Sequence, residues 1–389
     1  MPDRIYLDHA ATTPVDPRVL QAMLPYYQSA WGNPSGIYME AQAARRGLDE
    51  AREQVANLLE CLPTEIVFTS GGTESDNLAI RGAVTANKAL GRHIISSPTE
   101  HHAVLHTLER LKRDGYEVTL VPVDVEGFVD PASIQAAVRD DTTLVTIMAA
   151  NNEVGTLQPV AELARAVKAR NPRTFIHTDA VQAAGAVDIR PDTIGVDLMS
   201  LTAHKLYGPK GVGILYVRKR TDLEPQILGG SQERELRAGT ENVAGAVAFA
   251  AALDFAVREG EQHGEHVRRL RNHLWRELRE RIDGLRLNGP ADFDRRLPNN
   301  LSVCFSGVEG ESILLQLDMA GIAASSGSAC TTGSSEPSHV LTAMGVDSDL
   351  AHAAVRLSFG TDNEASHVET VASELPLIID RLRALSPVA

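Results

Sequence analysis

Asp197-Leu-Met-Ser-Leu-Thr-Ala-His-Lys-Leu-Tyr-Gly-Pro-Lys-Gly-Val-Gly-Ile-Leu-Tyr-Val217 is the stretch on which the reading of this chain turns. An apolar run enters it from Val196 to Leu201, and a β-rich apolar run leaves it from Val212 to Val217. Thr202, His204, Lys205 and a Gly-Pro-Lys-Gly turn lie between. The pattern predicts strand, polar loop, strand. A lysine set at the end of a rigid strand, beside a hydroxyl and an imidazole, loses its proton more readily than a solvated one, which covalent chemistry through an amine requires. Taken alone, the stretch also fits a surface lysine at a hairpin.

Working outward, strand and helix patterns alternate. Strands are expected at 65–69, 93–97, 117–123, 143–149 and 174–178, with helices at 75–90, 103–114, 131–139 and 160–169 between them. Strands spaced by helices of this length make β-α units and a mostly parallel sheet, with ligands at the carboxyl ends of the strands. Upstream, residues 1–14 suggest an extended segment laid across another part of the fold. A helix is expected from Pro17 to Tyr27, a loop at Trp31 to Ser35, and an amphipathic helix over 38–60 with Arg45, Arg46 and Arg52 on polar positions.

Polar clusters fall where the strands should end. Ser70-Gly71-Gly72-Thr73-Glu74 closes a strand and opens a helix, a pattern suited to a phosphate. Thr99-Glu100-His101-His102 offers one histidine to a pocket, for stacking or proton movement, with His102 read as a surface residue at a helix start. Asn151-Asn152-Glu153-Val154-Gly155 puts two amides and a glycine at a strand end, as ligand contacts or as a capped turn. In His177-Thr178-Asp179-Ala180-Val181-Gln182, Asp179 ends an apolar strand and needs a partner. A protonated pyridine nitrogen is one such partner: enzymes of pyridoxal 5'-phosphate (PLP) pair an acid with that nitrogen and hold the aldehyde on a lysine.

Composition narrows the classes. The 389 residues carry 37 Lys and Arg against 51 Asp and Glu, a formal net charge of −14. With no basic run, nucleic acid and anionic membranes are not expected partners. No stretch reaches the ~20 apolar residues of a membrane span, and no signal-peptide pattern opens the chain. Cys61, Cys304 and Cys330 are too few and too scattered for a disulfide scaffold or a metal knuckle, which suits a reducing cytoplasm.

In order along the chain stand Leu7-Asp8-His9-Ala10-Ala11-Thr12-Thr13-Pro14, Ser70-Gly71-Gly72-Thr73-Glu74, Thr99-Glu100-His101, Asn151 to Gly155, His177 to Gln182 and Ala203-His204-Lys205. This ordered set resembles the fold-type I PLP enzymes, in particular the NifS/IscS-type cysteine desulfurases. The resemblance implies an α/β fold: a large PLP domain (15–258) around a mostly parallel seven-stranded sheet, and a smaller α+β domain from 1–14 and 259–389. It also implies that Lys205 holds the cofactor's aldehyde, Asp179 the pyridine nitrogen, and His101 the ring face. Gln182 and Asn152 would touch the ring oxygen or the substrate. Gly72, Thr73, Thr202 and His204 would hold the phosphate, with Thr202 where these enzymes often have serine. Arg237-Ala238-Gly239-Thr240 looks like the loop that reaches the partner's phosphate through Thr240, which implies a homodimer. Asn33, Asn152 and Arg356 would meet the substrate.

Downstream, an apolar helix over 243–258 and a charged helix over 259–283 are expected, the second linking the two domains. Cys304 lies on an alternating strand and reads as a core residue. The segment 325–338 is mostly Gly, Ser, Thr and Ala, so Cys330 on it reads as an accessible thiol: a candidate nucleophile or an incidental one. By the resemblance, Ser325-Ser-Gly-Ser-Ala-Cys330 is the persulfide-forming loop, although Ser335 stands where an apolar residue is common. Arg356, on an alternating strand, reads as a carboxylate clamp or a surface arginine, and the resemblance favours the clamp. The implied reaction converts L-cysteine to L-alanine and leaves sulfur on Cys330, for an iron–sulfur scaffold protein or another acceptor. No resident metal is implied; Cys330 would at most meet an iron–sulfur cluster in passing. The alternatives are a selenocysteine-preferring lyase, a class V aminotransferase, or a sulfur-delivery scaffold without catalysis.

Overall fold

Short apolar runs that bury both faces need neighbours on both edges, and here they meet in one sheet. The computed structural model describes residues 4–326 and 337–385. After β1 (Ile5–Tyr6) come β2 (Ile66–Thr69), β3 (His93–Ser96), β4 (Glu117–Leu120), β5 (Thr142–Thr146), β6 (Phe175–Asp179), β7 (Leu198–Thr202) and β8 (Gly213–Val217). These last seven form a sheet in the order β2-β8-β7-β6-β5-β3-β4. Only β8 runs against its neighbours, β2 and β7; the other pairs are parallel. The carboxyl ends of the parallel strands therefore share one rim, as the alternation of strand and helix predicts.

The sheet's residues divide by face. Met199, Leu201 and Ile214 join the larger apolar core with the helix Met39–Leu58 and the start of the helix Val243–Arg281. Leu198 and Leu215 face the helix Gly72–Ala86 through Leu78, Ala79 and Ala83. Asp179 pairs in register with Ser200, so His177, Asp179, Leu198, Ser200 and Thr202 lie on that second face.

A second core surrounds the antiparallel sheet β12-β10-β9, made of β9 (Leu285–Leu287), β10 (Asn300–Phe305) and β12 (Ala354–Ser358). Leu301, Val303, Phe305, Val355 and Leu357 pack there against the helix Ala365–Leu385. Cys304 is fully buried, with Asn288 Nδ2 3.1 Å from its Sγ, as expected of a core residue. β1 pairs in parallel with β11 (Ile322–Ala323), which ties the amino-terminal segment to this second core.

Three expectations change. The residues 243–281 form one unbroken helix of 39 residues, about 58 Å long, instead of two. Its first half packs on the larger core through Phe249 and Leu253, and its second half on the smaller through Leu270, Leu274 and Leu278. The expected helix 17–27 splits at Leu24–Pro25, because Pro25 cannot donate into the preceding turn. Arg52, expected on a polar face, is buried. Its guanidinium donates to both Glu233 carboxylate oxygens, at 2.8 and 2.6 Å, and to the Ile66 carbonyl.

Glu233 also accepts from the Phe68 N–H at 3.0 Å. Glu233, Arg234 and Glu235 all have left-handed φ, 46°, 56° and 68°, a conformation that costs ~1–2 kcal/mol per non-glycine residue. The buried pair offsets that strain. Replacing Arg52 by Met strands Glu233 as an unpaired buried charge. Urea unfolding of the Arg52→Met protein is expected to show a loss of ~3–5 kcal/mol.

Candidate active site

Five of the strands that end on the shared rim, β2, β3, β5, β6 and β7, each contribute a side chain or a loop to one cavity of about 310 Å³. Gly72, Thr73, His101, Asn152, Asp179, Gln182, Thr202, His204, Lys205 and Arg356 all line it. β7 ends at Thr202, and a short 3-10 turn, Ala203–Lys205, turns Lys205 inward. Its ammonium donates to the carbonyls of Ala10 and Ala11, at 2.5 and 2.6 Å. The described part of the amino-terminal segment, residues 4–14, is thus the extended strap that its small residues suggest. It crosses the site, and further bonds fix it: Gln182 Nε2 to the Ala10 carbonyl at 2.9 Å, and Thr13 N–H to the His204 carbonyl at 3.0 Å.

At the floor, Asp179 Oδ1 accepts from the Val181 N–H at 2.9 Å. Burial raises its carboxyl to about 6, while that N–H and Lys205 pull the other way. His101 caps the helix His102–Arg113 through Nδ1, which accepts from the Ala103 N–H at 3.1 Å. The neutral ring then carries its proton on Nε2. Burial, with Lys205 nearby, lowers its pKa to about 4 and keeps it neutral. Burial also lowers His204 to about 4. At the opposite end, the helix Gly72–Ala86 points its first turn into the cavity. Gly71 has φ 152°, and a Cβ on Gly72 would meet Val181 Cγ2 at 2.8 Å. Bare backbone therefore faces the space beside the Thr202 and Thr73 hydroxyls, as anion binding at a helix start requires.

The loop 151–155 is held from the smaller core. Arg356 donates to the Asn152 carbonyl at 2.9 Å, Asn300 to Glu153 at 3.0 Å, and Arg296 to Val154 at 2.8 Å. Three successive carbonyls are fixed by three side chains. Arg356 is buried and also donates to Asp8 at 2.8 Å. Glu153 accepts from the Ser338 hydroxyl at 2.5 Å, and the Ser325 backbone pairs with Arg356. Both flanks of the 327–336 segment therefore rest on the cavity wall.

Some assignments fall elsewhere. Asn33 is exposed, outside the cavity lining, and its side chain accepts from the Ser35 N–H at 3.0 Å. Thr240 is exposed and also outside the lining. Cys330 lies outside the described residues. His102, expected at the surface, lines the cavity with Nε2 3.3 Å from His339 Nδ1. Sequence reasoning does not single out Asp8 or Asp76. Asp8 sits inside the amino-terminal motif. Asp76 follows Thr73 by three residues and so faces inward on the same helix.

These parts suit an aromatic aldehyde carrying a phosphate: an amine, a buried acid below, a histidine beside it and a bare helix start. Such a site on this sheet defines a class-V aminotransferase, and the chain belongs to that family, whose model, Aminotransferase class-V, matches residues 5–371. Within this PLP-dependent family, its relatives are IscS-type cysteine desulfurases. "Cysteine desulfurase IscS" of Dictyoglomus turgidum is 47% identical over 387 residues, covering 100% of this chain and 97% of the relative. "Putative cysteine desulfurase IscS 1" of Bacillus subtilis is 47% identical over 381 residues, 98% of this chain and 100% of the relative. Among solved structures, a "NifS-like protein" superposes with TM-score 0.92 at 40% identity, covering 98% of this chain and 100% of that one. "SspA in complex with cysteine" superposes with TM-score 0.80 at 35% identity, covering 92% and 99%.

An acid raised by burial weakens the cofactor-free fold as pH rises. Stability from Asp179 is full below its unfolded value near 4 and is lost as pH climbs through about 6. Cofactor-free Asp179→Asn protein is therefore expected to match wild type at pH 4 and exceed it by ~3 kcal/mol at pH 8, read by urea unfolding.

Proposed function

We propose that this protein is a cysteine desulfurase that converts L-cysteine to L-alanine and takes the sulfur onto Cys330 as a persulfide. The observation that carries the reading is the convergence of Lys205, Asp179, His101 and Arg356 on one cavity whose wall anchors both flanks of the Cys330 segment. When bound, PLP supplies an aldehyde for an amine and a cationic ring that takes up electrons from the substrate carbon. Lys205 would hold the aldehyde, Asp179 the ring nitrogen and His101 the ring face. Gly72, Thr73, Thr202 and His204 would hold the phosphate.

Arg356 would take the substrate carboxylate on its guanidinium fork, with Asn152 on the neighbouring loop. Lys205 and the neutral His101 would move protons at the substrate carbons. The Cys330 thiolate would attack the substrate sulfur, the carbon–sulfur pair would go to the carbon skeleton, and protonation there would give alanine. Cys330 is five residues beyond Ser325, which pairs with Arg356. At ~3.5 Å per residue, the chain allows it about 17 Å from that anchor, ample to reach the cavity.

In the same reading, residues 15–258 form a PLP domain, and 1–14 with 259–389 a second domain, a division the two apolar cores support. Thr240, exposed here, would complete the phosphate site of a second copy, so the working unit is a homodimer. The persulfide would pass to an iron–sulfur scaffold protein or another thiol acceptor. A free catalytic thiol suits the cytoplasm, and among the described residues no helix is long and apolar enough to cross a membrane.

Incubation with L-cysteine under reductant is expected to give alanine and sulfide in equal amounts, both falling at least ~100-fold in Cys330→Ala. Alanine formation that survives the substitution would mean a lyase in which this thiol is not the nucleophile. Neither product from loaded wild-type protein would favour an aminotransferase.

A further inference from the structure

Asp76 is a buried acid that the reaction outlined above does not use. It lines the cavity from the helix Gly72–Ala86 and is only 1% exposed. Its Oδ1 has no hydrogen-bond partner and lies 3.6 Å from His177 Nε2. The nearby Ser200 hydroxyl favours the ionised carboxyl, against the larger push of burial. His177 offers little counter-charge. Its Nδ1 lies 2.8 Å from the Thr146 hydroxyl and its Nε2 3.0 Å from that of Ser200, partners that satisfy a neutral ring. Burial lowers His177 to about 3. His177 and Asp179 share a face of β6, so Asp76 looks across at both.

Two carboxyls in one water-poor pocket do not both ionise. Burial, and then Asp179, push the Asp76 carboxyl up; Glu100, itself buried with Oε1 on the Met148 N–H, adds to the push. Lys205 favours the ionised form of Asp179. One carboxylate therefore belongs to Asp179, and the proton belongs to Asp76.

We propose that Asp76 is a positioning residue for the cofactor's ring nitrogen: it stays protonated beside Asp179, so that the two carboxyls present a single negative charge to that nitrogen. The proposal rests on the reading that Asp179 faces the nitrogen. An ionised Asp76 would leave a surplus buried charge under a singly charged ring. A neutral one leaves the Asp179 charge matched one to one.

The test is the infrared difference spectrum of PLP-loaded, full-length wild type minus Asp76→Asn at pH 7. A protonated-carboxyl stretch present in wild type and absent in the variant is expected; Glu100 contributes equally to both and cancels. Loss of a carboxylate band instead would overturn the proposal. Asparagine mimics the protonated acid, so PLP affinity, read by absorbance titration of stripped protein, is expected to stay within about threefold for Asp76→Asn and to fall about tenfold for Asp76→Leu. A tenfold fall for Asp76→Asn would also overturn it. If neither variant folds, the carboxyl ¹³C signals of aspartate-labelled wild type decide: one that stays at the protonated position from pH 6 to 8 supports the proposal, and none contradicts it. Unchanged affinity in Asp179→Asn would instead count against the parent reading.

Discussion

The Lys205 ammonium resting on the carbonyls of Ala10 and Ala11 is the contact on which the site's arrangement depends. A half-buried amine needs acceptors, and here they come from a strap that starts in the other core. β1 pairs with β11, Asp8 takes Arg356, and only then does the chain reach Lys205. A single run of nine residues, Ile5 to Thr13, therefore sets the distance between the lysine and the arginine. Gln182 holds the same Ala10 carbonyl, so that side of the cavity is fixed by the strap as well.

Charge in the cavity is arranged by the same logic. Arg356 is neutralised by Asp8 and uses its other arm to shape the Asn152 loop. The two histidines nearest Lys205, His101 and His204, are kept neutral by burial and by that lysine's charge. Asp179 is left as the acid whose charge is worth most once a cation arrives. The cofactor-free fold is consequently strained at its centre, which is where binding energy can be recovered.

Much of this was legible in the sequence because the informative residues sit at strand ends. Alternating runs gave the parallel sheet; Asp179 and Thr202 each close a strand, and Thr73, His101, Asn152 and Lys205 each follow one by a few residues. What stayed hidden depends on distant partners. Arg52 looks like one more polar residue on a helix until Glu233, 181 residues away, closes on it. The break expected near residue 258 reflects the polar stretch Arg258-Glu-Gly-Glu-Gln-His-Gly264, which is where the long helix passes from one core to the other. Helical bonding continues across it because neither core asks for apolar residues there. The spacing from Thr73 puts Asp76 on the inner face of its helix, but its meaning comes from His177 and Asp179 on another element. Asn33 and Thr240, assigned by resemblance, lie outside the cavity that one chain forms.

The central claim is that Lys205 is the residue that carries the cofactor. Borohydride reduction of the PLP-loaded protein, followed by peptide mass spectrometry, tests it without reference to activity. The pyridoxyl mass is predicted on the peptide containing Lys205 and on no other lysine. A label on Lys210 or elsewhere, with Lys205 unmodified, would contradict the account.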